Sequence, residues 1–181
     1  MATTVETVAE QPFFAGLPLP LVERLAGQAR PSVLESGHRL FHEHERAERF
    51  WLVCSGRIAL DCVVPDGGTA TIETIEPGGA VGWCWIFPPH QWDFGAVAVE
   101  RTSTIEFDAA GVRRLMDDDE ALARQLATRF VRVVLERLKA ARLRLPDLYR
   151  QRMRESGAGI EAPPPARTNP PLVRTGTSGR R

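Results

Sequence analysis

Between Pro31 and Asp108 the chain is broken into short β-branched and aromatic pieces by Gly, Pro and Asp, with no helical period between them. Leu40-Phe41, Phe50–Val53, Arg57–Val64, Thr69–Ile75, Ala96–Val99 and Thr102–Phe107 read as strands. Pro65-Asp66-Gly67-Gly68 and Glu76-Pro77-Gly78-Gly79 supply turns between them. Many short strands without crossover helices predict an antiparallel sandwich or barrel and disfavour a parallel nucleotide-binding sheet.

The flanks have a different period. Residues 1–11 predict a flexible N-terminus, and Pro12–Arg30 predicts a turn followed by a helix, with Phe13, Phe14, Leu17, Leu21, Val22, Leu25 and Ala26 on an apolar stripe. Pro20 suits the first helical turn, where its missing N–H costs nothing. After Asp108, Ala109–Met116 predicts a short helix, and the acidic run Asp117-Asp118-Asp119-Glu120 caps a long one over Ala121–Leu145. Pro146 marks its expected stop. Such a helix would be about 37 Å long, more than a small barrel needs. The seam Leu122, Leu126, Phe130, Val134 and Leu138 therefore predicts a homodimer interface. The Pro/Gly/Arg-rich residues 146–181 predict a largely disordered tail, since little there can repay ordering by burial.

Taken together, the fold expected is mainly β with flanking α: an antiparallel jelly roll over 31–108 with an N-terminal helix and a long C-terminal helix, the domain as a whole covering 12–145 and the exit helices 109–145. With 23 basic and 23 acidic side chains the formal net charge is +0, which gives no global field toward nucleic acid or anionic lipid. Only Lys139 among the basic residues is a lysine, leaving almost no place for lysine chemistry. Three scattered cysteines, Cys54, Cys62 and Cys84, fit neither a disulfide framework nor a structural zinc site. No leader-like N-terminus or membrane-length apolar run is present, so a cytoplasmic protein is expected, without a membrane partner.

The stretch Gly37-His38-Arg39-Leu40-Phe41 through Phe50-Trp51-Leu52-Val53-Cys54-Ser55-Gly56-Arg57-Ile58 resembles the early strands of cyclic nucleotide-binding domains, as in catabolite activator proteins and the regulatory subunits of cyclic-nucleotide-dependent kinases. The similarity extends back to Phe13-Phe14-Ala15-Gly16-Leu17 and forward through Glu76-Pro77-Gly78-Gly79 to the C-terminal helices. It implies an eight-stranded jelly roll with a helical entrance and an exit helix often used for dimerisation. It also implies a phosphate-binding cassette, in which a Gly-Glu pair opens a short helix and a later Arg grips the cyclic phosphate.

Here the corresponding stretch runs from Gly82 to Ala96. Gly82 matches, but Trp83 stands where the Glu belongs, and counting back from Ala96-Val97-Ala98 places the arginine position at Trp92. No Arg occurs between Arg57 and Arg101. Trp83, Trp85, Phe87, Trp92 and Phe94 crowd the cassette instead, either as core filling the emptied pocket or as an apolar ligand cavity rimmed by His90, Gln91 and Asp93. The candidate ligand site is thus Gly82, Trp83, Cys84, Trp85, His90, Gln91, Trp92 and Asp93, for an unknown small molecule or partner protein, with no cofactor. Cys84, beside the expected helix start, is the candidate reactive thiol.

His42 and His44, with His38 and Glu48 nearby and His90 as the one remaining histidine, superficially resemble a cupin metal motif. Three exposed turn histidines explain the same residues, and no metal is assigned. Asp117 and Asp118 read as a helix cap rather than a catalytic pair. The residues after Pro146 carry no second amphipathic helix pair, so no duplex DNA reading by helix-turn-helix is expected. The expected function is a non-catalytic sensory or adaptor module of the cyclic nucleotide-binding fold with a degenerate cassette. The alternatives are weak or noncanonical cyclic nucleotide binding and a metal-dependent cupin-like enzyme.

Overall fold

The computed structural model describes residues 4–64 and 67–155. Among the described residues, eight strands form two antiparallel four-stranded sheets. These are β1 (Ala29–Leu34), β2 (Arg39–Phe41), β3 (Arg49–Ser55), β4 (Ile58–Val63), β5 (Thr69–Ile75), β6 (Ala80–Val81), β7 (Gly95–Ala98) and β8 (Thr102–Asp108). One sheet has the order β1-β8-β3-β6 and the other β2-β7-β4-β5. The expected antiparallel eight-stranded roll is therefore present, with Phe50 opposite Phe107 in the first sheet and Leu60 opposite Ala96 in the second.

The described residues also form four α-helices: α1 (Thr4–Ala9), α2 (Leu19–Ala26), α3 (Ala109–Asp118) and α4 (Glu120–Glu155). The expected flexible N-terminus is corrected over Thr4–Ala9, where Val8 is fully buried and gives the segment an apolar anchor. Helix α2 carries Pro20 in its first turn and ends at Gly27, and Val22, Leu25 and Ala26 are buried. Asp108 caps α3 by accepting from the Gly111 amide, and Asp119 caps α4 by accepting from Leu122 N at 3.0 Å.

Two expectations about α4 change. The helix runs through Pro146 to Glu155 instead of stopping there. A proline inside a helix costs about 3 kcal/mol, and the Leu, Arg, Gln and Met residues around it are strong helix formers that keep the backbone helical. The seam also divides. Leu122 and Leu126 are 0% exposed and Phe130 is 2% exposed, because all three lie in the core of their own protomer. They are not available as a dimer surface. The chain divides within α4 into units 1–138 and 139–181, and the core belongs to the first. The expected tail lies, from residue 156 onward, outside the described residues.

That core is aromatic at its centre. Phe50 stacks on Phe107 at 4.5 Å and on Trp85 at 4.9 Å, and Phe130 meets Phe50 and Trp85 edge-on. Arg129 fastens α4 to the N-terminal segment through the carbonyls of Phe13 and Ala15. The first three turns of α4 are thereby fixed over one end of the roll.

Candidate functional site

The residues between β6 and β7 form the region where a cassette is expected. Gly82 leaves β6 with a φ of +84°, a conformation that glycine adopts freely. A Cβ on Gly82 would stand 2.7 Å from two ring carbons of Trp92, so the indole lies directly against bare backbone. From residue 82 to residue 94 the chain forms turns and bends, and the expected helix at Gly82-Trp83 is absent among these described residues. Pro88 and Pro89 remove two backbone donors that a helix would need. The carbonyl of His90 accepts from Ala47 N, Trp92 N donates to the Glu45 carbonyl, and His44 N donates to the Trp92 carbonyl. The stretch is thus laced to the loop between β2 and β3.

Its rings separate into two groups. Trp92 is 3% exposed and stacks on Phe41 with ring centres 3.9 Å apart, with Trp51 behind. Trp85 is 0% exposed and belongs to the Phe50–Phe130 cluster. Its carbonyl accepts from Arg113, while its indole Nε1 and the His90 Nδ1 are buried without a hydrogen-bond partner. Gln91 and Asp93 are exposed, and His90 is half-buried.

Of the expected ligand site, Gly82, Trp83 and Cys84 come together around a small cavity, joined by Phe41, Leu60, Phe94 and Arg137. The cavity is about 10 Å³, at the limit of a single water and far below the roughly 300 Å³ where small-molecule pockets begin. Trp85, Gln91 and His90 do not line it. The Cys84 thiol donates to an Asp93 carboxylate oxygen at 3.4 Å, and burial pushes its pKa up to about 11. A reactive thiolate at Cys84 is therefore corrected: the sulfur is a buried, protonated group.

Sequence reasoning missed Arg137 and its partner. Arg137 lies on α4, and its Nε stands 3.3 Å from an oxygen of Glu73 on β5 while Nη2 donates to the carbonyl of Ala80 on β6. Burial pulls the Arg137 pKa below its usual value and the Glu73 charge pushes it back up. The available signal was the period of α4 itself, because Arg137 falls one turn after Val133 on the inward stripe. Also missed was a groove of about 330 Å³ on the first sheet, bordered by Gln28, Arg30, Arg49, Glu106 and Asp108. Its buried carboxylate, Glu106, accepts from Arg30 and the Trp51 indole and lies 3.2 Å from an Arg49 nitrogen, so its floor is internally satisfied.

His38, His42 and His44 are exposed, and among the described residues no group of three His, Cys, Asp or Glu side chains could hold a metal ion. Among the described residues, no helix is long and apolar enough to cross a membrane.

Comparison with known proteins agrees with this architecture. Residues 31–119 match the cyclic nucleotide-binding domain family. Over 143 residues the chain is 25% identical to the CRP-like cAMP-activated global transcriptional regulator of Mycobacterium tuberculosis, a match covering 79% of this chain and 62% of that protein. The chain thus spans less than two thirds of the curated relative's length. A candidate cyclic nucleotide-binding protein of Geobacter metallireducens superposes with a TM-score of 0.69 at 22% identity, covering 76% of this chain and 99% of that one. The Thermus thermophilus catabolite activator protein superposes at 0.61 and 21% identity, covering 82% and 73%. Residues 31–119 thus form a cyclic nucleotide-binding-type domain, similar to that of the CRP-type regulators.

Proposed function

We propose that this protein is a non-catalytic sensory or adaptor module whose cassette no longer holds a cyclic nucleotide in the manner of its family. One observation carries the reading: Trp92, at the position counted for the phosphate-gripping arginine, is packed between Phe41 and the bare backbone of Gly82. The remaining cavity of about 10 Å³ has no room for a nucleotide. Trp83, at the position of the cassette's Glu, offers only an indole. Each lost charge-assisted contact removes about 1.5–3 kcal/mol, which takes an otherwise micromolar site beyond about 100 μM. Isothermal titration with cAMP and cGMP is the test. Binding weaker than about 100 μM is expected, and saturable one-to-one binding at low micromolar concentration, abolished by altering Gly82, overturns the reading in favour of noncanonical nucleotide recognition.

The output of such a module would pass through α4. Past Phe130, Val131, Val134, Leu135 and Leu138 are exposed, Leu138 at 63%. A second copy of the chain is the proposed partner, since a two-fold axis along this face buries the same apolar residues twice and lets the exposed Arg132 and Glu136 of opposite copies pair. Sedimentation equilibrium should give twice the protomer mass, and Leu135→Asp should return the monomer. A wild-type monomer at high micromolar concentration refutes the dimer.

A further inference from the structure

We infer that the Glu73–Arg137 ion pair is a strap that brings the one charged side chain lining the cavity beside Gly82 in from α4 and holds residues 131–138 in place, so that the face formed by Val131, Val134, Leu135 and Leu138 is presented outward. The inference rests on the function proposed above, because it concerns the same cassette and the same helix.

Helix α4 loses its apolar anchorage after Phe130. Leu122, Leu126 and Phe130 are in the core, but between Val131 and Leu138 no residue is buried. Only Val133 and Arg137 are half-buried there. Arg137 is seven residues beyond Phe130, or about 10 Å along the axis at 1.5 Å per residue. At that distance a polar contact takes over from packing. The guanidinium bridges two different strands, reaching the Glu73 carboxylate on β5 and the Ala80 carbonyl on β6. A planar fork with several donors can fix a direction in this way, whereas a lysine would supply only a point charge.

The pair is also well shielded, with side-chain exposures of 17% for Arg137 and 24% for Glu73. Arg137 is the only charged side chain among those that line the cavity beside Gly82, the rest being Phe41, Leu60, Trp83, Cys84 and Phe94. A cation in such surroundings requires an anion, and here the anion comes from the protein's own β5. Without Glu73 the guanidinium would keep a single carbonyl acceptor in a desolvated place and would be driven toward water, taking the helix surface around it along. The strap therefore couples two features separated in the chain: the closure of the cassette and the exposure of the α4 face.

Hydrogen exchange read by mass spectrometry on the full chain, without nucleotide, tests this. Glu73→Gln preserves shape while removing the charge, and Arg137→Met preserves much of the stem; Arg57→Gln, which breaks the exposed Arg57–Glu100 pair, serves as the comparison. The measurement is made in a Leu135→Asp background, so that protection from self-association does not enter. Amides of residues 131–138 should exchange at least tenfold faster in both strap variants, with the β3 and β8 peptides unchanged and Arg57→Gln silent. If Arg137→Met fails to fold, Glu73→Gln alone decides. Exchange of 131–138 within twofold of the parent in a folded Glu73→Gln protein overturns the strap. Neither nucleotide titration nor the sedimentation mass enters this readout, so failure here and failure of the proposed function remain distinguishable.

Discussion

Replacing Trp92 by Ala asks whether the aromatic filling of the cassette is structural core. The indole is 3% exposed, lies 3.9 Å from the Phe41 ring centre and covers Gly82. A buried tryptophan removes roughly 200 Å² from water, which at about 25 cal/mol per Å² amounts to about 5 kcal/mol gross. The alanine methyl and partial collapse of Phe41 and Trp51 recover part of this, and loss of the offset stack adds about 0.5–1.5 kcal/mol. The expected loss is therefore about 3–5 kcal/mol, a large share of the roughly 5–15 kcal/mol that holds a domain together. Urea unfolding followed by far-UV circular dichroism gives the value directly, with an unchanged m indicating that the same surface is exposed. Free indole supplies a second readout, because a ligand at about ten times its Kd restores about 1.4 kcal/mol if it enters the vacated space. A loss below about 1 kcal/mol with unchanged m, and no stabilisation by indole, would refute the filled-core reasoning. It would show that Trp92 closes over a space other groups can fill.

Gly82→Ala should be similarly severe for a different reason: a positive φ and a Cβ 2.7 Å from the Trp92 ring together cost about 2–4 kcal/mol, measured by the same urea titration, while Gly37→Ala, with a positive φ but nothing within 4 Å, should lose only about 1–2 kcal/mol. Cys84 should resist alkylation in the folded protein, since at pH 8 a group with a pKa of about 11 is only about 0.1% thiolate; peptide-resolved iodoacetamide labelling at least tenfold slower than in urea is expected, and equal rates would remove the buried-thiol assignment. Because burial raises that pKa above its unfolded value, the Cys84 contribution to stability is complete below about pH 9 and is lost as pH rises toward about 11. Cys84→Ser should flatten the stability profile across that window.

The strands that were legible in the sequence are those whose side chains announce a pleated, half-buried surface, such as Phe50–Val53 and Thr102–Phe107, both now central in the first sheet. Strand β1 was not, because Ala29-Arg30-Pro31-Ser32 reads as the end of a helix; proline is tolerated there only because β1 is an edge strand. Strand β6 is two residues long and carries no period at all. In α4 the apolar repeat was visible, but periodicity does not say against what a face packs. Leu122, Leu126 and Phe130 turned inward while Val134 and Leu138 stayed exposed. The expectation that both cassette anchors are missing rests on Trp83 and Trp92 in the sequence. Whether their rings fill or line a space depended on Phe41 and Gly82, and the charge on α4 that reaches the cavity depended on Glu73, partners that only the folded chain brings near.

The contact between Trp92 and Gly82 also limits which sequences lie one step away. A lone Trp92→Arg change would press a guanidinium against the Phe41 and Trp51 rings and would vacate the space against Gly82 at the same time. A lone Trp83→Glu change would set a carboxylate beside Arg137, in competition with Glu73. Each substitution by itself would lower stability by several kcal/mol before any ligand could repay it. A phosphate-gripping cassette reached through either substitution alone would therefore pass through a less stable fold.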